Sequence, residues 1–127
     1  MNKNIISTEK APAAIGPYSQ AVEVNGVIYT SGMIPVVPAT GAIVEGDIAD
    51  QTRQVFENLT ALLEAAGSGL DRIVKTTVFI KDMNDFAKIN EVYASFFQDD
   101  FPARSCVEVS RLPKDVQIEV EVIALKK

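Results

Sequence analysis

The sequence predicts an α+β fold in which two helices cover one face of a single β-sheet. Three observations predict it: an Asn-Gly turn between two β-prone runs, two segments with helical spacing of apolar residues, and three further β-prone runs. The order is hairpin, helix, strand, helix, strand, strand, with right-handed crossovers expected between parallel strands. At 127 residues and 47% apolar composition, the chain fits one globular domain spanning residues 1–127.

The first half of the chain carries a hairpin signal and then a helix signal. Asn25-Gly26 separates Gln20–Val24 from Val27–Ser31, and both turn residues tolerate a positive φ, which favours a two-residue hairpin. Asp47–Ala66 then places apolar residues three and four positions apart, as one buried helical stripe requires. The aspartate that opens this segment is the expected N-cap, and Gly67 is the expected residue just beyond the helix.

The second half predicts a strand, a helix and two more strands. Ile73–Lys81 is rich in β-branched residues, and its residues 74, 76, 78 and 80 are expected to share one face. Asn84–Phe97 has helical spacing, with Asn84 as its expected cap and its aromatic residues facing the core. Ser105–Val109 and Val116–Leu125 are the two final strands.

The composition excludes several kinds of chemistry. The net charge is −5, and no Lys/Arg run exists beyond Lys126-Lys127, so nucleic acid is a disfavoured partner. The single cysteine, Cys106, cannot form an internal disulfide, and the absence of histidine excludes histidine metal sites and Ser-His-Asp catalysis. A carboxylate-only Mg²⁺ or Ca²⁺ site stays open, although no DxDxDG loop occurs.

No apolar run reaches the roughly 20 residues that span a bilayer. Residues 1–12 lack the apolar core of a signal peptide. The cytoplasm is therefore the expected compartment.

The last predicted strand has one apolar face and one mixed face. The mixed face carries two apolar residues, Ile123 and Leu125, and two carboxylates, Glu119 and Glu121. A sheet with helices on its far side only needs a cover over such a face. In so short a chain, another subunit is the expected cover.

Four side chains are expected to gather on the mixed face. If the last two strands pair antiparallel, with the valines of Ser105–Val109 towards the helices, Arg104 and Cys106 lie beside Glu119 and Glu121. Arg104 is then either the ion-pair partner of a glutamate, the more frequent role, or a clamp for a substrate carboxylate. Glu119 is correspondingly an ion-pair partner or a general base. Cys106 is more often a buried small side chain than a nucleophile, although an adjacent arginine would lower its pKa.

Three further positions each have a structural and a functional interpretation. Tyr18 follows a Gly-Pro turn and either packs at the start of a strand or presents its hydroxyl to a site. Ser31-Gly32 ends the hairpin, either as a plain turn or as a place where the backbone approaches a ligand closely. Asn90 either bonds a local backbone group, which is more frequent, or borders a site.

Six segments of the sequence match a known family almost from end to end. The longest and most specific is FPARSCVEVSRLPKDVQIEVEVIA. The others are APAAIGPYSQA, YTSGMIP, ATG, NLTALLEAAG and IVKTTVFIKDMNDFAKIN. Together they resemble the Rid (YjgF-type) reactive-intermediate deaminases, in the imine/enamine deaminase branch. The resemblance implies a chorismate-mutase-like α+β fold, assembled as a homotrimer with its sites in clefts between subunits.

The resemblance also implies an activity and a set of site residues. The activity is hydrolysis of 2-iminobutanoate and 2-iminopropanoate to 2-oxo acids and ammonia, without a cofactor or a metal. Arg104 matches the arginine that holds the substrate carboxylate, Glu119 the glutamate near the attacking water, and Tyr18 the tyrosine of the catalytic site. The positions that match the lining of the pocket are Ser31, Gly32, Asn90 and Cys106.

Two other functions are compatible with such a cleft. One is a binding protein for 2-oxo acids that does not turn them over. The other is an RNA-directed role, as a ribonuclease or an inhibitor of translation. The net charge of −5 and the lack of a basic patch disfavour the second.

Overall fold

The computed structural model describes residues 2–127 as one six-stranded mixed sheet with two α-helices packed on one face. The strands are β1 (Lys3–Ile6), β2 (Ala21–Val24), β3 (Val27–Thr30), β4 (Ile73–Ile80), β5 (Ala103–Glu108) and β6 (Ile118–Leu125). The helices are α1 (Ile48–Ala65) and α2 (Phe86–Ser95). The predicted α+β sheet with two helices is therefore confirmed.

The sheet order is β1-β2-β3-β6-β4-β5, so the last strand of the chain lies in the middle of the sheet. β4 and β5 run parallel, and every other neighbouring pair runs antiparallel. Two features differ from the prediction. The short edge strand β1 was not expected, and β5 pairs with β4 instead of with β6.

The predicted hairpin and the predicted capping of α1 are both confirmed. Val24 pairs with Val27 across a turn in which Asn25 and Gly26 have φ values of 52° and 81°. At the start of α1, the Asp47 carboxylate accepts hydrogen bonds from two backbone N–H groups of the first turn. Gly67, just beyond α1, has φ of 79°, a conformation that favours glycine.

Because of a β-bulge, the residues of β4 that face the core differ in part from those predicted. Thr76, Val78 and Ile80 are buried on one face, as expected, but Val74 is 43% exposed and Ile73 is buried instead. The pairing with β6 shifts by one residue between Ile73 and Lys75, which turns Val74 outwards.

The second helix is shorter than Asn84–Phe97, and Asn84 does not cap it. Asn84 lies in a 3-10 turn, where its backbone N–H donates to the Asp82 carboxylate. Asp85 precedes α2 without a side-chain cap bond. The connection to β5 begins directly after Ser95, so Phe96 and Phe97 pack as part of that connection.

The core lies between the two helices and one face of the sheet. The largest fully buried side chains come from both layers: Phe56, Leu59, Leu62, Leu63 and Ile89 from the helices, with Ile28, Val78, Ile80, Ile118 and Val120 from the strands. The other face of the sheet is open and combines apolar side chains with the carboxylates of Glu119 and Glu121. Among its side chains, Ile5, Tyr29, Val107 and Leu125 are between 37% and 56% exposed.

Within residues 2–127 there is no helix with the length and apolar character needed to cross a membrane.

Candidate active site

Arg104 and Glu119 lie on opposite faces of the sheet, which corrects the predicted four-residue cluster. In the parallel register of β4 and β5, Arg104 pairs with Thr76, and Thr76 is buried on the helix face. Glu119 pairs with Phe79, whose side chain lies on the open face. The error has a physical cause: the prediction places Val107 in the core because it is apolar, but the open face carries apolar side chains as well.

The Arg104 guanidinium lies against one face of α2. Its Nη1 donates to Asn90 Oδ1 at 2.7 Å. Its Cζ lies 4.8 Å from the centroid of the Tyr93 ring and 5.4 Å from that of Phe86. Both distances are within the range of a cation–π interaction. Among residues 2–127, Arg104 forms no ion pair, so the predicted bridge to a glutamate of the same chain is absent.

A cavity of about 430 Å³ opens beside the guanidinium. One N–H of the guanidinium is used by Asn90, so most of its five donors are left for a ligand. The walls of the cavity are mainly apolar. They are formed by Asn90, Tyr93, Ala94, Phe101, Pro102 and Arg104.

Cys106 lies on the helix face, two residues beyond Arg104, and packs against the core. Burial raises the pKa of its thiol, and the nearby positive charge of Arg104 offsets only part of that increase. Arg104 thus lowers the pKa as expected, but the effect of burial is larger, so the net shift is upward. A thiol of this kind is a poor nucleophile at neutral pH.

A second cavity, of about 460 Å³, lies over the carboxylate of Glu119 on the open face. Gly32 forms its floor: a Cβ at residue 32 would lie 2.7 Å from Glu119 Cδ and 3.0 Å from Cγ. The group that approaches the Gly32 backbone closely is thus the Glu119 side chain, and the close approach of a ligand stays a prediction. The lining consists of Ile15, Tyr18, Ser31, Gly32, Ile34, Pro113, Glu119 and Glu121.

The carboxyl group of Glu119 is half-buried. Burial raises its pKa, and repulsion from Glu121, two residues away on the same strand face, raises it further. No ion pair compensates Glu119 among residues 2–127. A carboxylate whose pKa is raised towards neutrality is suited to accepting a proton from water.

Hydrogen bonds hold the loop residues of this second cavity in place. The Tyr18 hydroxyl accepts a hydrogen bond from the Ile15 backbone N–H at 3.3 Å, and 48% of the residue is exposed. The Ser31 hydroxyl donates to the Ser19 carbonyl at 2.6 Å. Tyr18 therefore keeps its hydroxyl hydrogen for another partner, whereas Ser31 uses its own within the protein.

The residues named from the sequence thus form two groups. Arg104, Asn90 and Cys106 lie on the helix face, and Tyr18, Ser31, Gly32 and Glu119 lie around the cavity on the open face. The sequence interpretation missed the roles of Phe86 and Tyr93, which it assigned to the core. Their spacing from Asn90, at i, i+4 and i+7 of one helix, was the signal that could have grouped them.

The sequence also matches known proteins over nearly its full length. Residues 8–126 match the family described as Endoribonuclease L-PSP. The chain belongs to this family. The resemblance to the Rid family is confirmed by the same match.

Some relatives of this L-PSP family member are named only by family, and others are named by an activity. A RutC family protein, PH0854, of Pyrococcus horikoshii is 60% identical over 98% of this chain and 99% of its own length. A 2-iminobutanoate/2-iminopropanoate deaminase of Salmonella typhimurium is 58% identical, over 96% of this chain and 97% of its own. The crystal structure of E. coli TdcF with bound serine superposes with a TM-score of 0.93, at 53% identity over 98% and 99% of the two chains.

Proposed function

We propose that this L-PSP family chain, as one domain over residues 1–127, hydrolyses small 2-imino acids to 2-oxo acids and ammonia. The observation that carries the proposal is the Arg104 guanidinium, which faces an open cavity and has no ion-pair partner among residues 2–127. A planar fork of donors of this kind matches a carboxylate in two-pronged geometry. A deaminase of 2-iminobutanoate and 2-iminopropanoate at 58% identity supports the same substrate class.

We further propose that each site combines two subunits. Arg104 and Glu119 lie on opposite faces of one sheet, so one small substrate cannot contact both within a single chain. In a closed ring of three chains, the helix-face edge of one subunit can meet the open face of the next. The exposed apolar side chains of the open face, among them Tyr29, Val107 and Leu125, favour such a contact.

In the proposed reaction, Arg104 binds the carboxylate of the substrate and thereby orients the imine carbon, C2. Glu119 from the neighbouring chain takes a proton from water as the water oxygen bonds to C2. The electron pair of the C=N bond moves to nitrogen, and the carbinolamine forms. The proton taken up by Glu119 then passes to nitrogen. The C–N bond breaks and ammonia leaves, while the carbinolamine hydroxyl gives its proton to the Glu119 carboxylate and becomes the carbonyl of the 2-oxo acid.

Two features of the substrate class support this scheme. A protonated imine is already electrophilic, so the chain needs only to place water and neutralise the carboxylate. Serine, which is bound in the TdcF structure, carries a carboxylate and a nitrogen on one carbon, as a 2-imino acid does.

The experiment that tests the proposal generates 2-iminopropanoate with a serine dehydratase and follows its loss with and without the protein. We expect wild type to accelerate hydrolysis and Arg104→Ala to leave only the spontaneous rate. Binding of 2-oxobutanoate by wild type without acceleration would instead identify a binding protein. Sedimentation that gives the mass of a single chain would contradict the two-subunit site.

A further inference from the structure

Tyr93 has contacts that packing in the core does not require. Its ring lies 4.8 Å from Arg104 Cζ, while its hydroxyl lies 2.8 Å from Thr76 Oγ1 on the neighbouring strand. The residue is only 5% exposed, and its ring meets that of Phe56 edge-on at 5.2 Å. The orientation of this ring is therefore fixed by the protein before any ligand binds.

Thr76, Arg104 and Tyr93 form a closed set of contacts. Thr76 and Arg104 are direct neighbours in the sheet, and both lie on its helix face. Tyr93 contacts each of them from α2, one through its hydroxyl and the other through its ring. Burial raises the pKa of the Tyr93 phenol, so the hydroxyl is protonated at neutral pH, and either hydroxyl can donate in the bond with Thr76.

Besides Tyr93, one other ring contacts the arginine within residues 2–127, that of Phe86, at the longer distance of 5.4 Å. Arg104 lies on the edge strand β5 and is only partly buried, with a long flexible stem. Within residues 2–127 its one side-chain hydrogen bond, to Asn90, fixes a single nitrogen and not the plane of the group. Two-pronged recognition of a carboxylate needs the plane as well, and a fork that is already oriented loses less freedom on binding.

We propose that Tyr93, held in place by Thr76, is a positioning residue that sets the plane of the Arg104 guanidinium for carboxylate binding. The inference rests on the proposed function and deepens it. The site then distinguishes a 2-oxo or 2-imino acid from a neutral analogue by the orientation of the guanidinium as well as by its charge.

The test compares the affinities for 2-oxobutanoate and for its neutral amide, 2-oxobutanamide, by titration calorimetry. We expect wild type to prefer the acid, and Tyr93→Leu to lower the affinity for the acid about tenfold while the affinity for the amide is kept. Tyr93→Phe and Thr76→Val each lose the hydrogen bond but keep the packing volume. A smaller loss of acid affinity, about threefold, is expected for both.

Phe97→Leu is the matched control. Its ring packs 5.0 Å from that of Tyr93 but is not stacked on Arg104, so the variant should lose stability and keep the acid preference. If Tyr93→Leu does not fold, Tyr93→Phe and Thr76→Val carry the test. An unchanged acid preference in the folded variants, or an equal loss in Phe97→Leu, would overturn the proposal. A wild-type protein without any preference for the acid would count against the proposed function itself.

Discussion

The Glu119 side chain lies across the backbone of Gly32, in space that a Cβ at residue 32 would occupy. That Cβ would lie 2.7 Å from Glu119 Cδ, closer than real side-chain contacts. The absence of a side chain at Gly32 thus determines where the Glu119 carboxylate lies in its cavity. Any larger residue at position 32 must displace that carboxylate.

Gly32→Ala should therefore reduce turnover without preventing folding. A displacement of about 1 Å at a catalytic group costs on the order of 10²-fold in rate. The measurement is imine hydrolysis, with thermal unfolding alongside. Gly16→Ala is the control, because a Cβ there meets only the Tyr18 ring, at an ordinary 3.5 Å. Wild-type turnover in Gly32→Ala would show that the position of Glu119 does not matter.

The pKa of Glu119 should determine the acid limb of the pH–rate profile. A general base acts when ionised, so kcat/KM should fall as the pH falls through the pKa of Glu119. Because Glu121 raises that pKa by repulsion, Glu121→Gln should lower it and move the limb to lower pH. Glu57→Gln, the same change of charge on an exposed helix position, should leave the limb in place. A limb that does not move in Glu121→Gln would assign it to another group.

Arg104→Lys should not restore the activity that Arg104→Ala loses. Lysine keeps the charge but not the planar fork, and the expected loss is about 1.5–3 kcal/mol of transition-state binding, the scale of a charged hydrogen bond. The readout is kcat/KM for 2-iminobutanoate. Arg53→Lys, at an exposed i, i+3 ion pair, is the control for the substitution itself. Activity close to wild type in Arg104→Lys would mean that charge alone is recognised.

Cys106→Ser should fold and keep most of its turnover. Burial raises the pKa of the thiol, so little thiolate exists at neutral pH, and hydrolysis of an imine needs no covalent carrier. Reaction with a thiol reagent should be slow in wild type for the same reason. Loss of all activity in a folded Cys106→Ser protein would indicate a covalent route.

Local signals in the sequence predicted the elements well. Asn25-Gly26 marked the hairpin, and Asp47 and Gly67 marked the ends of α1, because turns and caps depend on a few adjacent residues. The bulge that turns Val74 outwards left no comparable signal, since it arises from the register with a distant strand.

The candidate site was harder to predict because it depends on the order of the strands. The site residues themselves were predicted. The sheet face on which Arg104 lies follows from the pairing of β5 with β4, which no local sequence pattern encodes. The choice between the two faces also failed at Val107, because apolar side chains lie on the open face as well as in the core. Only the strand order shows that Arg104 and Glu119 lie on opposite faces of the sheet within one chain.

The central claim, a site shared between two chains, needs two inactive variants with different defects. Arg104→Ala should lose binding of 2-oxobutanoate together with turnover. Glu119→Gln should keep that binding, because Arg104 remains, while turnover falls by about 10²–10⁴-fold as expected for loss of a general base. Each variant should assemble as wild type does.

The most direct measurement unfolds the two variants together in equal amounts, refolds them and assays imine hydrolysis. With random assembly, a site that takes Arg104 from one chain and Glu119 from the next is intact in about one case in four. We expect recovery of about a quarter of wild-type turnover, with none when either variant is refolded alone. A mixture that stays as inactive as its components, although mixed assemblies form, would contradict a site built from two chains.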